Sequence, residues 1–491
     1  MADLDNDRVG DLEVGVVGTG SMGAGMTLLF SEHGHKVGCY DYDRDAVQNV
    51  LRQAKEDKVV DEKLVHGYTS LDKMVGAFPK ASGGDQGKPR IFVLSLPHGK
   101  AVDGIEDELL PRLEKGDIVI DGGNEWWEET ERRQDKAAKK GVEWIGMGVS
   151  GGYQAARHGP SMSPGCTEEA YKIVEPYLKK WAAKTPDGTP CVLRMGPDVK
   201  MIHNGIEHAH LSILCEIRSL LHDQLGLSND EIADIFESWS KSGPLRGNFL
   251  VGIGYRGLRF KEGDGLDEPD GIVEGFEDKE IANRHVAAPA IAASHQLRVI
   301  SANKFERTEV AKNLRIPKPG HPNLSEKEKK EILEAMEPAV YGAILGAFVQ
   351  GLEIISKASK VQVRYEDQRH DDIDKVAEMG HAIADFLAPL LKPFHPSKPL
   401  NLLQEIPKLS AELSKTYAPL KKVYAFAVET DSVAMALGAS VEWMKAVGGK
   451  NLPTDFEEME LDYFGHHNYD LKKKPVKGSA KGQYHTEFQS T

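Results

Sequence analysis

Short apolar runs alternate with amphipathic stretches through the first 195 residues. Strand-like runs fall at Glu13–Gly18, Lys36–Tyr40, Arg90–Leu96, Asp117–Asp121 and Val142–Gly146. Helical spacing fills the gaps, as in Met22–His33 and Glu125–Lys140. Strand and helix in alternation predict a parallel, doubly wound sheet. Insertions rich in Gly, Lys and Asp, such as Gly83–Lys88, read as surface loops. From about Met195 the apolar period lengthens to that of helices: Val199–Leu225, Asn229–Ser242, Asp278–Asn313, Ser325–Ala358 and Asp371–Leu391. Proline breaks them at Pro317–Pro322 and Pro393–Pro399. The charged stretch Arg364–Asp374 reads as a solvated face or loop. The last 30 residues are polar and Lys-rich, a composition that orders only when a neighbour holds it.

Composition narrows the class. The chain has 491 residues, 40% hydrophobic and 28% charged, enough apolar material for large cores. Its net charge of −15 disfavours non-specific binding to nucleic acid or anionic lipid. Cys39, Cys166, Cys191 and Cys215 form no CxxC pair, which speaks against a zinc ribbon or a redox dithiol and fits a reducing compartment. The start, MADLDNDRVGDLE, lacks the features of a secretory or mitochondrial leader. The best membrane-span candidate, Ala339 to Ile355, is interrupted by Gln350 and Glu353. The expectation is a soluble, cytoplasmic protein with neither nucleic acid nor membrane as a partner.

The segment Val14-Gly15-Val16-Val17-Gly18-Thr19-Gly20-Ser21-Met22-Gly23 joins an apolar strand to a glycine turn and a helix. In a dinucleotide site Gly18 would permit the tight turn, Gly20 the approach of a pyrophosphate, and Gly23 close helix–strand packing. Gly18, Gly20, Ser21, Met22 and Gly23 are therefore candidate cofactor-binding residues; the alternative is a structural turn. Asp41 follows the second strand, 18 residues after Gly23, where a carboxylate would bond an adenosine ribose and repel a 2′-phosphate. That favours NAD over NADP, with Arg44 the nearby cation that could reverse the choice. Asp41 could instead cap the next helix. Leu96 and Asn124 sit in turns after later strands, at the edge where open α/β sheets place ligands. The expected architecture is an α/β Rossmann-type N-terminal domain (1–195), a large all-α domain (196–455) and a C-terminal tail (456–491).

In Asp198–His208, the residues Lys200, His203, Asn204 and Glu207 stand at i, i+3, i+4 and i+7 and share one helix face. A base, two polar groups and an acid line up over two turns; from composition alone an ordinary wet face would look the same. Gly148–Gly152, continuing to Arg157–Ser161, offers backbone N–H groups and the Ser150 hydroxyl to a carboxylate, or is a plain connecting loop.

Together these segments resemble the 6-phosphogluconate dehydrogenases, within the β-hydroxyacid dehydrogenase group. The matching stretches are Gly18–Gly23, Asp117–Asn124, Gly148–Pro164, Lys200–Glu207 and Asp462–His467. The resemblance implies oxidation of the C3 hydroxyl of 6-phosphogluconate, loss of C1 as CO2, NAD or NADP as acceptor, and no metal. It implies that Lys200 is the general base, Glu207 the acid that protonates the enediol, and Asn204 and His203 positioning groups. It further implies that Ser150, Gly151 and Gly152 hold the carboxylate and that Asn124 lies between cofactor and substrate. Arg298 fits the family's helix arginine at the phosphate, and His208 stands where the family has tyrosine. His467 matches a tail histidine that reaches the partner's site, which implies a homodimer with exchanged tails.

Several positions depart from that pattern. The Lys-Gly-Thr-Gly-Lys-Trp loop is absent, and Asp278–His285, with Lys279, stands roughly in its place. Leu461 replaces the tail arginine, and Tyr42 replaces the arginine that selects NADP. Tyr153 and Gln154 replace a pair of glutamates, and Gly196-Pro197-Asp198 shortens a Gly-Ala-Gly-His segment. A different, non-phosphorylated sugar acid is therefore an alternative substrate, and a non-catalytic dinucleotide sensor or scaffold the alternative of another class.

Overall fold

A computed structural model describes residues 4–5, 11–79, 89–184, 188–192, 194, 199–259, 288–302, 304–320, 322–358, 382–391, 401–450, 452–465, 468–471, 482 and 484–486. Seven strands form one sheet: β1 Val14–Val17, β2 Val37–Tyr40, β3 Val65–Tyr68, β4 Ile91–Leu94, β5 Ile118–Asp121, β6 Glu143–Ser150 and β7 Ser161–Gly165. Their order is β3-β2-β1-β4-β5-β6-β7. The neighbours pair in parallel from β3 to β6, and β7 runs antiparallel to β6. The order reverses between β1 and β4, so the crevice at their carboxyl ends is the ligand position for this topology.

Both faces of the sheet are apolar, as crossover helices require. Val14, Val16, Ile91, Val93, Ile118 and Ile120 pack on one side with Met26 and Phe30 of helix α1 (Ser21–Glu32). Val17, Phe92, Leu94 and Val119 pack on the other with Val102 and Ile105 of a second crossover helix, Lys100–Leu109. The five expected strands are all present. Strands β3 and β7 were not expected: Val-His-Gly-Tyr and Ser-Met-Ser-Pro-Gly carry few β-branched residues, and proline survives in the second because β7 is an edge.

Helices follow from Val199. The Glu326–Ala358 helix is the axis of this part, buried almost without interruption from Ala339 to Leu352. It packs on Val199–Ser219, on Pro407–Glu429 and on Met435–Gly448. By length and composition its Glu326–Ile355 segment could cross a membrane, but 89% of the apolar window lies inside the protein. The expected Asp278–Asn313 helix is two helices where it is described, Pro289–Ser301 and Lys304–Leu314. The Arg364–Asp374 stretch lies outside the described residues.

The described tail residues are folded on themselves. Asp462, buried in the Asp455–Gly465 helix, accepts from the Asn468 and Thr486 N–H groups, each at 3.0 Å, and faces His485 Nδ1 at 2.9 Å. Tyr469 and Tyr484 exchange backbone hydrogen bonds.

Candidate active site

The stereochemistry of the glycine turn shows why Gly18 and Gly23 lack side chains. Gly18 has φ +91°, and a Cβ there would collide with the Ser95 carbonyl and the Leu96 side chain. A Cβ on Gly23 would overlap the Gly18 carbonyl. One on Gly20 would meet nothing within 4 Å, so the space over the turn is open. Beyond it α1 begins at Ser21 and Met22 with no side-chain cap and no acidic residue in its first turn. Its leading N–H groups and positive dipole end are thus available to phosphate oxygens. These residues fit a dinucleotide pyrophosphate.

Asp41 is not the helix cap; Asp43 is, accepting from the Asp45 N–H. The Asp41 carboxylate instead accepts from the Thr19 N–H at 2.6 Å and from the Asp43 N–H at 2.9 Å. It is fixed beside the glycine turn, where a ribose diol would lie. Next to it, the Tyr42 hydroxyl donates to Glu108 at 2.7 Å, while Arg44 lies exposed at the start of the Arg44–Glu56 helix.

The helix Val199–Ser219 presents the polar stripe because its opposite side is committed to packing. Ile202, Ile206, Ala209, Ile213 and Ile217 are buried. Ile202 and Ile206 fill the space over Gly351 of the axial helix, and Gly205 lets Ile291 approach. His203, Asn204, Glu207 and His208 are left partly exposed on the other side. His203 Nδ1 lies 3.5 Å from the Glu207 carboxylate and 3.4 Å from Asn204 Oδ1. Asn204 Nδ2 reaches Asn124 Oδ1 at 3.5 Å, which ties the helix to the turn after β5. Lys200 precedes Asn204 by one helical turn in the same helix. The helix also packs against β6, the strand that ends in Ser150.

His208 extends the stripe. One Arg298 nitrogen lies 2.9 Å from its Nε2 and 3.2 Å from its Nδ1. An arginine can only donate, so the imidazole accepts and is neutral. Burial, then the Arg298 cation and His295, push His208 down to about 4. Arg298 itself is placed by its helix, whose Ala290 N–H is bound by the buried Gln350 side chain at 3.1 Å.

Gly151 (φ +116°) and Gly152 (φ +69°) turn the chain after Ser150 into the short helix Gly152–His158. Gly25 of α1 lets that helix approach, since a Cβ there would lie 3.0 Å from the Arg157 nitrogen. The structure thus brings Asn124, His203, Asn204, Glu207, His208 and Arg298 into contact pairs. His467 and Lys279 lie outside the described residues. Sequence reasoning missed an ion cluster behind the Asn124 turn, in which Asp121, Glu125 and Arg133 are buried and Asp103 is partly exposed. Burial, with Glu125 close by, pushes Asp121 up to about 7. The position of Glu125 directly after Asn124 was the signal available for it.

Two family profiles cover the chain. That for the NAD binding domain of 6-phosphogluconate dehydrogenase matches residues 13–196, and that for the 6-phosphogluconate dehydrogenase C-terminal domain matches 196–488. The decarboxylating 6-phosphogluconate dehydrogenase of Emericella nidulans is 39% identical over 95% of this chain and 99% of its own length. The Spinacia oleracea enzyme of that name, form 1, is 31% identical, with 97% of each chain covered. Among solved structures, the Plasmodium falciparum 6-phosphogluconate dehydrogenase, described apo and with NADP+ or 6-phosphogluconate, superposes with a TM-score of 0.79. It is 26% identical and is matched over 97% of this chain and 100% of its own. With both halves matched and close relatives aligned end to end, the chain belongs to the 6-phosphogluconate dehydrogenase family.

Proposed function

We propose that this protein oxidises 6-phosphogluconate at C3 and releases C1 as CO2 to give ribulose 5-phosphate, with NAD as the preferred acceptor. One observation carries the reading: the polar stripe of Val199–Ser219 meets, through Asn204 and Asn124, the turn at the carboxyl end of the nucleotide-binding sheet. A bound nicotinamide supplies the hydride acceptor. Lys200 removes the C3 hydroxyl proton and returns it to the same oxygen as the C1–C2 bond breaks and CO2 leaves. Glu207 then gives a proton to the former C2, which becomes C1 of the product. Asn204 and His203 orient the hydroxyl and carbonyl, and Ser150, Gly151 and Gly152 hold the carboxylate. His208 and Arg298, with His467 from the tail, meet the far anionic group. Asp41, pinned by two backbone N–H groups, supports NAD because a 2′-phosphate would meet its charge.

The active form in this reading is a homodimer with exchanged tails. Phe305, Leu314 and Ile316 on the helical part, and Phe456 and Tyr463 on the tail helix, are large apolar groups left exposed on one chain.

Turnover of 6-phosphogluconate with NAD, measured as CO2 and reduced nicotinamide together, tests the chemistry. Lys200→Ala should abolish it while cofactor still binds. Tight cofactor binding with no turnover on any sugar acid would favour a sensor. Turnover of gluconate-type acids alone would favour the non-phosphorylated substrate. For the dimer, mixing Lys200→Ala chains with His467→Ala chains should restore activity that neither has alone.

A further inference from the structure

Glu125 closes the turn after β5, one residue beyond Asn124. One of its carboxylate oxygens accepts from the Gly99 N–H at 2.8 Å. The other lies 2.8 Å from Arg133 Nη1, and the side chain is only 5% exposed. Arg133 is wholly enclosed and also donates to Asp103 at 2.8 and 3.1 Å. Gly99 ends the turn after β4, at φ +79°, and begins the helix Lys100–Leu109, whose first turn carries Asp103. One buried guanidinium and one carboxylate therefore lock two strand-end turns to each other.

Those turns are the ones a nicotinamide must meet. Asp41 at β2 marks the adenosine end and the glycine turn at β1 marks the pyrophosphate, so a dinucleotide laid along the crevice runs on toward β4 and β5. A cluster needed only to join two helices would draw its charges from those helices. Here the linking carboxylate comes from the turn itself, beside the asparagine that touches the stripe helix. Buried ion clusters are in any case poor stabilisers compared with apolar packing of equal volume.

We infer that Glu125 is a positioning residue: it sets the separation of the β4 and β5 turns and so holds Asn124 and the nicotinamide half of the cofactor in register with the stripe helix. The inference rests on the proposed reaction for its consequence in turnover, but not for its consequence in binding. Trp126 and Trp127 follow directly, with ring centroids 6.4 Å apart, and provide a local optical reporter.

The test compares NADH with ADP-ribose, which lacks the nicotinamide, on the full-length protein. Binding is read by calorimetry and by energy transfer from tryptophan to the reduced ring. Glu125→Ala should lower kcat about tenfold or more, since misplacement by an ångström costs on the order of 100-fold in rate. It should weaken NADH several-fold and reduce energy transfer at saturation, while ADP-ribose affinity stays within about twofold, well under 1 kcal/mol. Glu125→Gln keeps an acceptor for Gly99 and should recover most of the lost rate. Parallel weakening of NADH and ADP-ribose, or an unchanged energy transfer and kcat, would overturn the inference. If Glu125→Ala does not fold, Glu125→Gln carries the test alone: it should weaken NADH measurably more than ADP-ribose, and equal affinities would overturn it. If the unmodified protein shows no turnover, the reaction fails as a reading, and the two-ligand comparison still decides the clamp.

Discussion

The neutral state of His208 makes a quantitative expectation. Its imidazole is held at about 4 by burial first and by Arg298 and His295 second. Moving an imidazole from 6.5 to about 4 separates its protonation states by at most about 3 kcal/mol, reduced by solvent screening because the ring is only partly buried. Between these two values the unfolded chain binds a proton that the native chain does not, so native stability is full above 6.5 and falls as pH drops toward 4. Arg298→Met removes one cause and leaves burial, so the His208 midpoint should rise part of the way toward 6.5. The assay is NMR of the imidazole carbon-bound protons across the pH range, with thermal melts at pH 7 and pH 5 beside it. The variant should lose less stability over that interval than the parent. Added inorganic phosphate should raise the parent midpoint, as an anion between Arg298 and His208 rewards protonation. A His208 that titrates near its ordinary value in the unmodified protein, or one indifferent to Arg298→Met, would refute the argument.

Three other outcomes are expected. Gly23→Ala forces a Cβ into the Gly18 carbonyl, and the overpacking should cost about 1–3 kcal/mol, seen as a lower melting temperature and weaker NADH binding. Asp41→Ala frees the Thr19 and Asp43 N–H groups and removes the charge facing a 2′-phosphate. The NAD-to-NADP ratio of kcat/KM should fall about tenfold, near 1.4 kcal/mol. Arg90 and Asp117 form a buried bidentate pair at 2.9 and 2.5 Å. Arg90→Met alone should cost about 3–5 kcal/mol in denaturant unfolding, and adding Asp117→Leu should recover most of it.

What the sequence revealed follows physical lines. Strands β1, β2, β4, β5 and β6 were legible because buried parallel strands read as continuous apolar runs, whereas β3 and β7 carry histidine, glycine, serine and proline and leave no such trace. The glycine turn was legible because its spacing is characteristic: Gly18 and Gly23 each answer a local steric demand, and Gly20 leaves the space over the turn open. The stripe at 200, 203, 204 and 207 was legible because helical spacing puts those positions on one side, with 202 and 206 on the other; its extension to His208 was not. The Glu125–Arg133–Asp103 cluster was not, because its members come from one turn and two helices and meet only after the sheet forms. Likewise nothing in the spacing from His208 to Arg298 announces that they share a hydrogen bond.

The Glu326–Ala358 helix has a consequence during synthesis. Its apolar sides are covered partly by Pro407–Glu429, which leaves the ribosome roughly 70 residues later. At about 5–20 residues per second, that interval lasts several seconds. Throughout it the nascent chain displays a segment that reads like a membrane anchor to any targeting factor or chaperone nearby. Slowing the ribosome through residues 359–429 should therefore lower the yield of native protein without altering a single amino acid.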